Sequence, residues 1–299
     1  MLARALAALL LLVSADVHAQ ACCAGANAIT PGRLALHEDA LVGLLVRGGY
    51  VLGSFDALRS RYVGARAQDS EADFDQSVIG TLRVAPRAQV SAVVPLVQTY
   101  RSTRGTAEAG GGLGDIVLSG RYDFVLAGES LRIPGIALLA AVTAPTGTPP
   151  ERAQNAQATD ATGVGSVRLA VGAALEQQFG PVLVNVTGTF AWAAPRTVPA
   201  GRAQDGLAWS VFGAVGWVFK NTAAVAVTGA YSDERGGTLD GMPSGTGKAS
   251  TRLGLAGGSP ITDAWRVSAS AYLDVPASGL GRNQTAQSGL TFLVIRSWS

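Results

Sequence analysis

The chain has 299 residues, 48% of them apolar and only 15% charged, with a formal net charge of +2. A near-neutral chain without clustered Lys and Arg offers no nucleic-acid surface. Its only cysteines, Cys22 and Cys23, are adjacent and cannot staple distant parts of a fold. Two thiols alone also make an incomplete metal site, so neither metal nor cofactor is expected.

The N-terminus reads "MLARALAALLLLVSADVHAQ". Arg4 precedes an apolar run from Ala5 to Val13, and Val17-x-Ala19 offers a cleavage point before Gln20. That order predicts a secretory signal peptide over 1–19. Residues 20–32 are then a loose periplasmic tail or a small plug, since termini are loose unless tied down. The remainder, 33–299, forms one body. Ala19, Gln20 and Ala21 match a lipoprotein signal poorly, which argues against a lipid anchor on Cys22.

No later segment is a continuous apolar stretch of the ~18 residues that a membrane helix needs. The longest, "IPGIALLAAVTAP", holds 13 residues and contains prolines. Apolar residues alternate with polar ones instead, and the alternation predicts strands at 41–55, 73–84, 87–100, 113–125, 131–143 and 164–178. More follow at 181–193, 206–219, 222–232, 248–257, 264–274 and 287–298. Each is near or above the ~9–11 residues with which a tilted strand crosses a bilayer. Short connections such as "APR", "FGP" and "KNT" alternate with long polar ones such as "RSTRGTAEAGGG" and "SDERGGTLDGMPSGTG". Outer-membrane barrels sort their loops this way, short on the periplasmic side and long outside. The fold class is therefore an all-β, antiparallel, up-and-down transmembrane barrel of about twelve strands.

Side chains of a strand point alternately to opposite faces. In 182–192, Asn185, Thr187 and Thr189 oppose Val182, Val184, Val186, Phe190 and Trp192. Lipid takes the apolar face and the lumen the polar one. Aromatics at the strand ends support this orientation. Tyr100, Trp192, Trp209 and Tyr231 fall at outer ends; Tyr122, Phe124, Phe179, Trp217, Phe219 and Trp298 fall at inner ends. Two such girdles sit at head-group level in membrane barrels. The candidate lumen cations are Arg83, Arg87, Arg121, Arg168, Arg252 and Arg266. The candidate lumen anions are Asp75, Asp115, Asp123, Glu176 and Asp274.

"GGGLGDIVLSGRYDFV", residues 110–125, opens like a nucleotide loop, but a strand follows where a dinucleotide fingerprint requires a helix. Its glycines are expected in a flexible outer loop. "GTGKAST" near 245 fails as a phosphate loop too, with Met242 where the first glycine belongs. The last strand carries Leu290, Phe292, Val294 and Trp298 on one face, interrupted by Arg296.

The "GLGD" core with "LGDIVLSGRYDF", and "APTGTPPE" at 144–151, resemble the phenol meta-pathway degradation, or "transporter", family of Gram-negative outer-membrane proteins. The resemblance implies a barrel associated with uptake of small, often aromatic, compounds. No functional residues carry over from it. The leading expectation is thus an outer-membrane channel or uptake protein, with outer-membrane lipid, the barrel-assembly machinery and a small solute as partners. A closed structural or surface-recognition barrel is the alternative, its charges paired across a filled lumen. A barrel-based hydrolase would need a nucleophile with a base; His37 lies before the first strand, and the sequence sets no evident catalytic serine or acid beside it.

Overall fold

The structure, a computed structural model, describes residues 32–130 and 132–299. The proposed signal peptide, Cys22 and Cys23 lie outside the described residues. Twelve long strands form the wall. They are β1 Ala40–Phe55, β2 Ser70–Ala85, β3 Ala88–Thr103, and β4, which runs as Thr106–Leu113 and Ile116–Val125. Next come β5 Gly135–Ala144, β6 Arg168–Phe179, β7 Val182–Ala193 and β8 Ala208–Val218. The last four are β9 Ala224–Glu234, β10 Lys248–Pro260, β11 Trp265–Asp274 and β12 Gln284–Trp298. Each pairs antiparallel with the next, and β12 returns to β1 from Ala40↔Trp298 to Phe55↔Gln284. The sheet is closed, so it has no free edge to satisfy in lipid.

The alternation sets the two faces. On β12, Leu293, Ile295 and Ser297 are buried inside, while Leu290, Phe292, Val294 and Trp298 are exposed outside. The exposed large apolar side chains of the other strands, from Val42 to Leu273, encircle the molecule. In water such a belt would drive association; in hydrocarbon it is the required surface. Nine of the ten expected girdle aromatics are exposed on it, and Trp209 is half-buried against Tyr231 at 5.2 Å between ring centroids. Tyr50, Phe74, Phe190 and Trp265 join them. Arg296 lies over the rings of Trp265 and Trp298, at 5.8 and 5.0 Å, which holds its charge at the interface. There an Arg costs only ~0–1 kcal/mol.

Two expectations about loops are corrected. "RSTRGTAEAGGG" is not a loop: β3 and β4 run on to a two-residue turn, Arg104-Gly105, closed by the Thr103↔Thr106 pair. Both turn residues have positive φ, 52° and 83°, as in the hairpin turn that matches strand twist. The three glycines 110–112 therefore stand in the wall. Nor are "PRTVPAGRAQD" and "SDERGGTLDGMPSGTG" irregular throughout. Residues Arg196–Val198, Gly201–Gln204, Gly237–Leu239 and Met242–Ser244 pair into a separate four-stranded sheet beyond the barrel. Strands of three or four residues are too short for a period of two to register.

β4 is interrupted at a bulge. Leu113 pairs with Leu96 and Val117 with Val93, so residues 114–116 face only Val94 and Pro95. Pro95 has no N–H to give, but its carbonyl accepts from Gly114 N–H at 2.8 Å. The extra residue re-aims its neighbour, Asp115.

Candidate functional site

The lumen is the concave polar region that the barrel creates, and three layers of side chains occupy it. In the layer on the side where β1 begins and β12 ends, Arg121 and Glu176 are 6% and 5% exposed and joined at 3.2 Å; Arg121 also grips Asp123 at 2.8 Å. Asn185 adds an amide donor to Glu176 at 3.2 Å. Charges this buried are stable only when paired and hydrogen-bonded. Arg33, which precedes the first strand, donates to the other Glu176 oxygen.

That contact belongs to a segment, residues 32–39, lying inside the barrel rather than below it. Gln89 brackets it, its amide donating to Gly32 O and accepting from Leu34 N–H, both at 3.1 Å. Thr81 donates to Gly32 O at 3.2 Å, and Arg83 donates to the carbonyls of Ala35 and Glu38. Glu38 is buried and bonds Ala35 N–H at 2.7 Å and Arg266 at 3.1 Å. Burial pushes the Glu38 carboxyl up, but Ala35 N–H, the Ser297 hydroxyl and Arg266 outweigh it and hold the group below its ordinary value. Arg33 reaches β6, whereas Leu34 packs among Leu41, Leu45, Ile79, Leu293 and Ile295 of β1, β2 and β12. β6 and β12 are diametrically opposite, so two consecutive residues span the bore.

In the middle layer Arg47 pairs with Asp75, and Arg252 forks onto Asp274 at 2.7 and 3.1 Å. Tyr272 lies flat along the wall beneath Arg252, whose guanidinium is 4.2 Å from the ring centroid. A Cβ on Gly289 would meet its hydroxyl at 2.5 Å, and one on Gly49 at 2.9 Å. Those two glycines clear the space for the ring.

In the outer layer the 145–167 loop folds against the inside of β4. Asp115 accepts from Gly147 N–H at 2.9 Å and Val164 N–H at 2.8 Å. Glu108 accepts from Ala156 and Gln157, and Arg101 donates to Gln157 O at 2.6 Å. A Cβ on Gly110 would stand 2.7 Å from Thr159, and one on Gly112 would touch Thr162 at 3.8 Å. The glycine run is a seat for this loop. Its signal was available: 110, 112 and 114 are alternate positions, hence one face of a strand.

Asp75, Arg83, Arg121, Asp123, Arg168, Glu176, Arg252, Arg266 and Asp274 thus sit on the inner face, each of them in an ion pair. Arg168 pairs with Asp205 at the outer end. Arg87 is a correction: it occupies the turn between β2 and β3 and bonds Glu129 and Phe124 O. A bulge between Arg83 and Ala85 ends the alternation there. Asp115 is also corrected, since it anchors the loop and does not line open lumen.

A closed barrel with an apolar girdle outside and ionised groups inside defines an outer-membrane β-barrel. The family described as "Putative MetA-pathway of phenol degradation" matches residues 68–290, and the chain belongs to that family. No curated protein matches the sequence. The chain is similar in structure to the COG4313 outer membrane channel from Pseudomonas putida F1. The identity is 12% and the TM-score 0.70, over 88% of this chain and 98% of that one. The translocator domain of the autotransporter NalP from Neisseria meningitidis aligns less well. Its TM-score is 0.48 at 10% identity, over 87% and 88% of the two chains.

Proposed function

We propose that the protein is a non-enzymatic outer-membrane channel for the uptake of small solutes, aromatic and hydrophobic compounds among them. The observation that carries this reading is the inner face. Its ionised groups come from most of the strands and converge on one axial space, an arrangement that selects solutes by charge and shape. The Pseudomonas neighbour is described as a channel and the family description refers to phenol degradation, and both support the reading. Export through a cleaved signal peptide and insertion by the barrel-assembly machinery, aided by the terminal strand with Trp298, belong to the same proposal.

A closed recognition barrel is the competing reading, favoured by residues 32–39 across the bore. Reconstitution in planar bilayers separates the two. The channel reading expects discrete conductance steps, larger and more frequent when residues 20–38 are deleted. Silence of both the full chain and the deletion would establish the closed barrel.

A further inference from the structure

We infer that the lipid-facing wall from β8 to β12 carries a site for one phospholipid of the inner leaflet, with its phosphate on Arg296 and an acyl chain in a groove beside Phe292. The site lies outside the bore, so it goes beyond the channel reading and does not depend on it.

The outward face is not evenly filled. One row of outward positions crosses five strands through the pairs Trp217↔Val225, Val225↔Gly257, Gly257↔Ala269 and Ala269↔Phe292. Side chains along it shrink from an indole to a hydrogen atom, then grow through a methyl to a phenyl ring. The next row toward mid-membrane repeats the dip, with Ala271 between Leu255 and Leu290. Together they make a groove of about 660 Å³ floored by Gly257, Ala269 and Ala271. Crowding does not impose the glycine: a Cβ on Gly257 would stand 3.4 Å from Ala224 O and 3.7 Å from Val225, both ordinary contacts. A flat belt touches an acyl chain along one side only. A groove touches it on its flanks as well, and the added dispersion contacts hold one chain in place.

Toward the inner rim, where the turns are short and periplasmic, the columns holding Ala269 and Phe292 lead through Val267 and Val294 to the Trp265↔Arg296 pair. Arg296 is exposed on the lipid-facing side. The lumen arginines Arg121, Arg252 and Arg266 are all paired with carboxylates. Arg296 is not, among the described residues; its partners are the rings of Trp265 and Trp298. Ring contacts engage the face of a guanidinium and leave its N–H edge for an acceptor, and at this depth the acceptor at hand is lipid phosphate. Four residues separate Arg296 from Phe292, about 13 Å of strand. The glycerol and first methylenes of a phospholipid cover that distance. A lipid seated this way lies across β10, β11 and β12.

Native mass spectrometry of the full chain, released from detergent with added dioleoylphosphatidylglycerol, tests the site. We expect one lipid to stay bound at collision energies that strip further copies. Dioleoylglycerol, with the same chains and no phosphate, should give no such adduct. Ala269→Phe fills the groove and keeps the cation; Arg296→Gln removes the cation and keeps the groove. Each should lower the single-lipid adduct by about fivefold or more. Val171→Phe, on the lipid face of β6 and away from the groove, should leave it unchanged. Both site variants alter side chains that face lipid, so the wall still closes. No adduct in the parent, an adduct that survives either site variant, an equal loss in Val171→Phe, or equal binding of dioleoylglycerol overturns the inference.

Discussion

Glu38 shows how a single residue can hold the inner segment in place. It accepts from Ala35 N–H within its own turn while pairing with Arg266 on β11. Its carboxyl is held below the ordinary range, so the stabilisation is complete above the unfolded value of about 4.3. It is lost as pH falls from there through the folded value. Amide hydrogen exchange in residues 32–38, corrected for intrinsic rate, should accelerate below about pH 4 and change little between about pH 6 and 8. Glu38→Gln should show the fast exchange at neutral pH and no acid step. Arg33 and Glu38 were outside the sequence-derived set because nothing in a non-strand stretch signals that it folds back inside. Glu176, by contrast, stood at an alternating position, and its inward direction followed from that alone.

At the level of the element, alternation identifies a strand only where side chains differ between faces. β6 and β7 announce themselves through Leu175 and Glu176, or Val186 and Thr187. The outer half of β4 does not: "TAEAGGGL" has almost no contrast between its two faces. Its glycines are there because the 145–167 loop must come close, a requirement set by Asn155, Thr159 and Thr162, far along the chain. Gly110→Val would put carbon against Thr159 and Asn155 at 2.7–2.8 Å, and overpacking of this kind costs about 1–3 kcal/mol. The loop, tied by hydrogen bonds, should yield before the closed wall does. Tryptic cleavage after the exposed Arg152 should therefore rise several-fold in Gly110→Val, with the barrel's thermal unfolding little changed. Unchanged cleavage would mean that the seat does not hold the loop.

For the whole molecule, orientation was the part of the fold most open to reading, because lipid imposes one rule on every strand at once. All five tryptophans, Trp192, Trp209, Trp217, Trp265 and Trp298, stand on outward positions near strand ends. Lipids brominated high on the acyl chain should quench most of the intrinsic fluorescence, and aqueous iodide far less. The reverse pattern would place the apolar face in a packed interior. What occupies the bore was less legible, since it depends on segments that no periodic pattern describes.

The seam between Ala40–Phe55 and Gln284–Trp298 joins the beginning of the wall to its end. Nothing upstream can seal it. Without the fifteen residues of β12 the wall would be a ribbon with two raw borders, each offering unpaired amides to any passing strand. A ribosome that stops a few dozen codons early would make no narrower cylinder, only a sticky sheet for periplasmic proteases to remove.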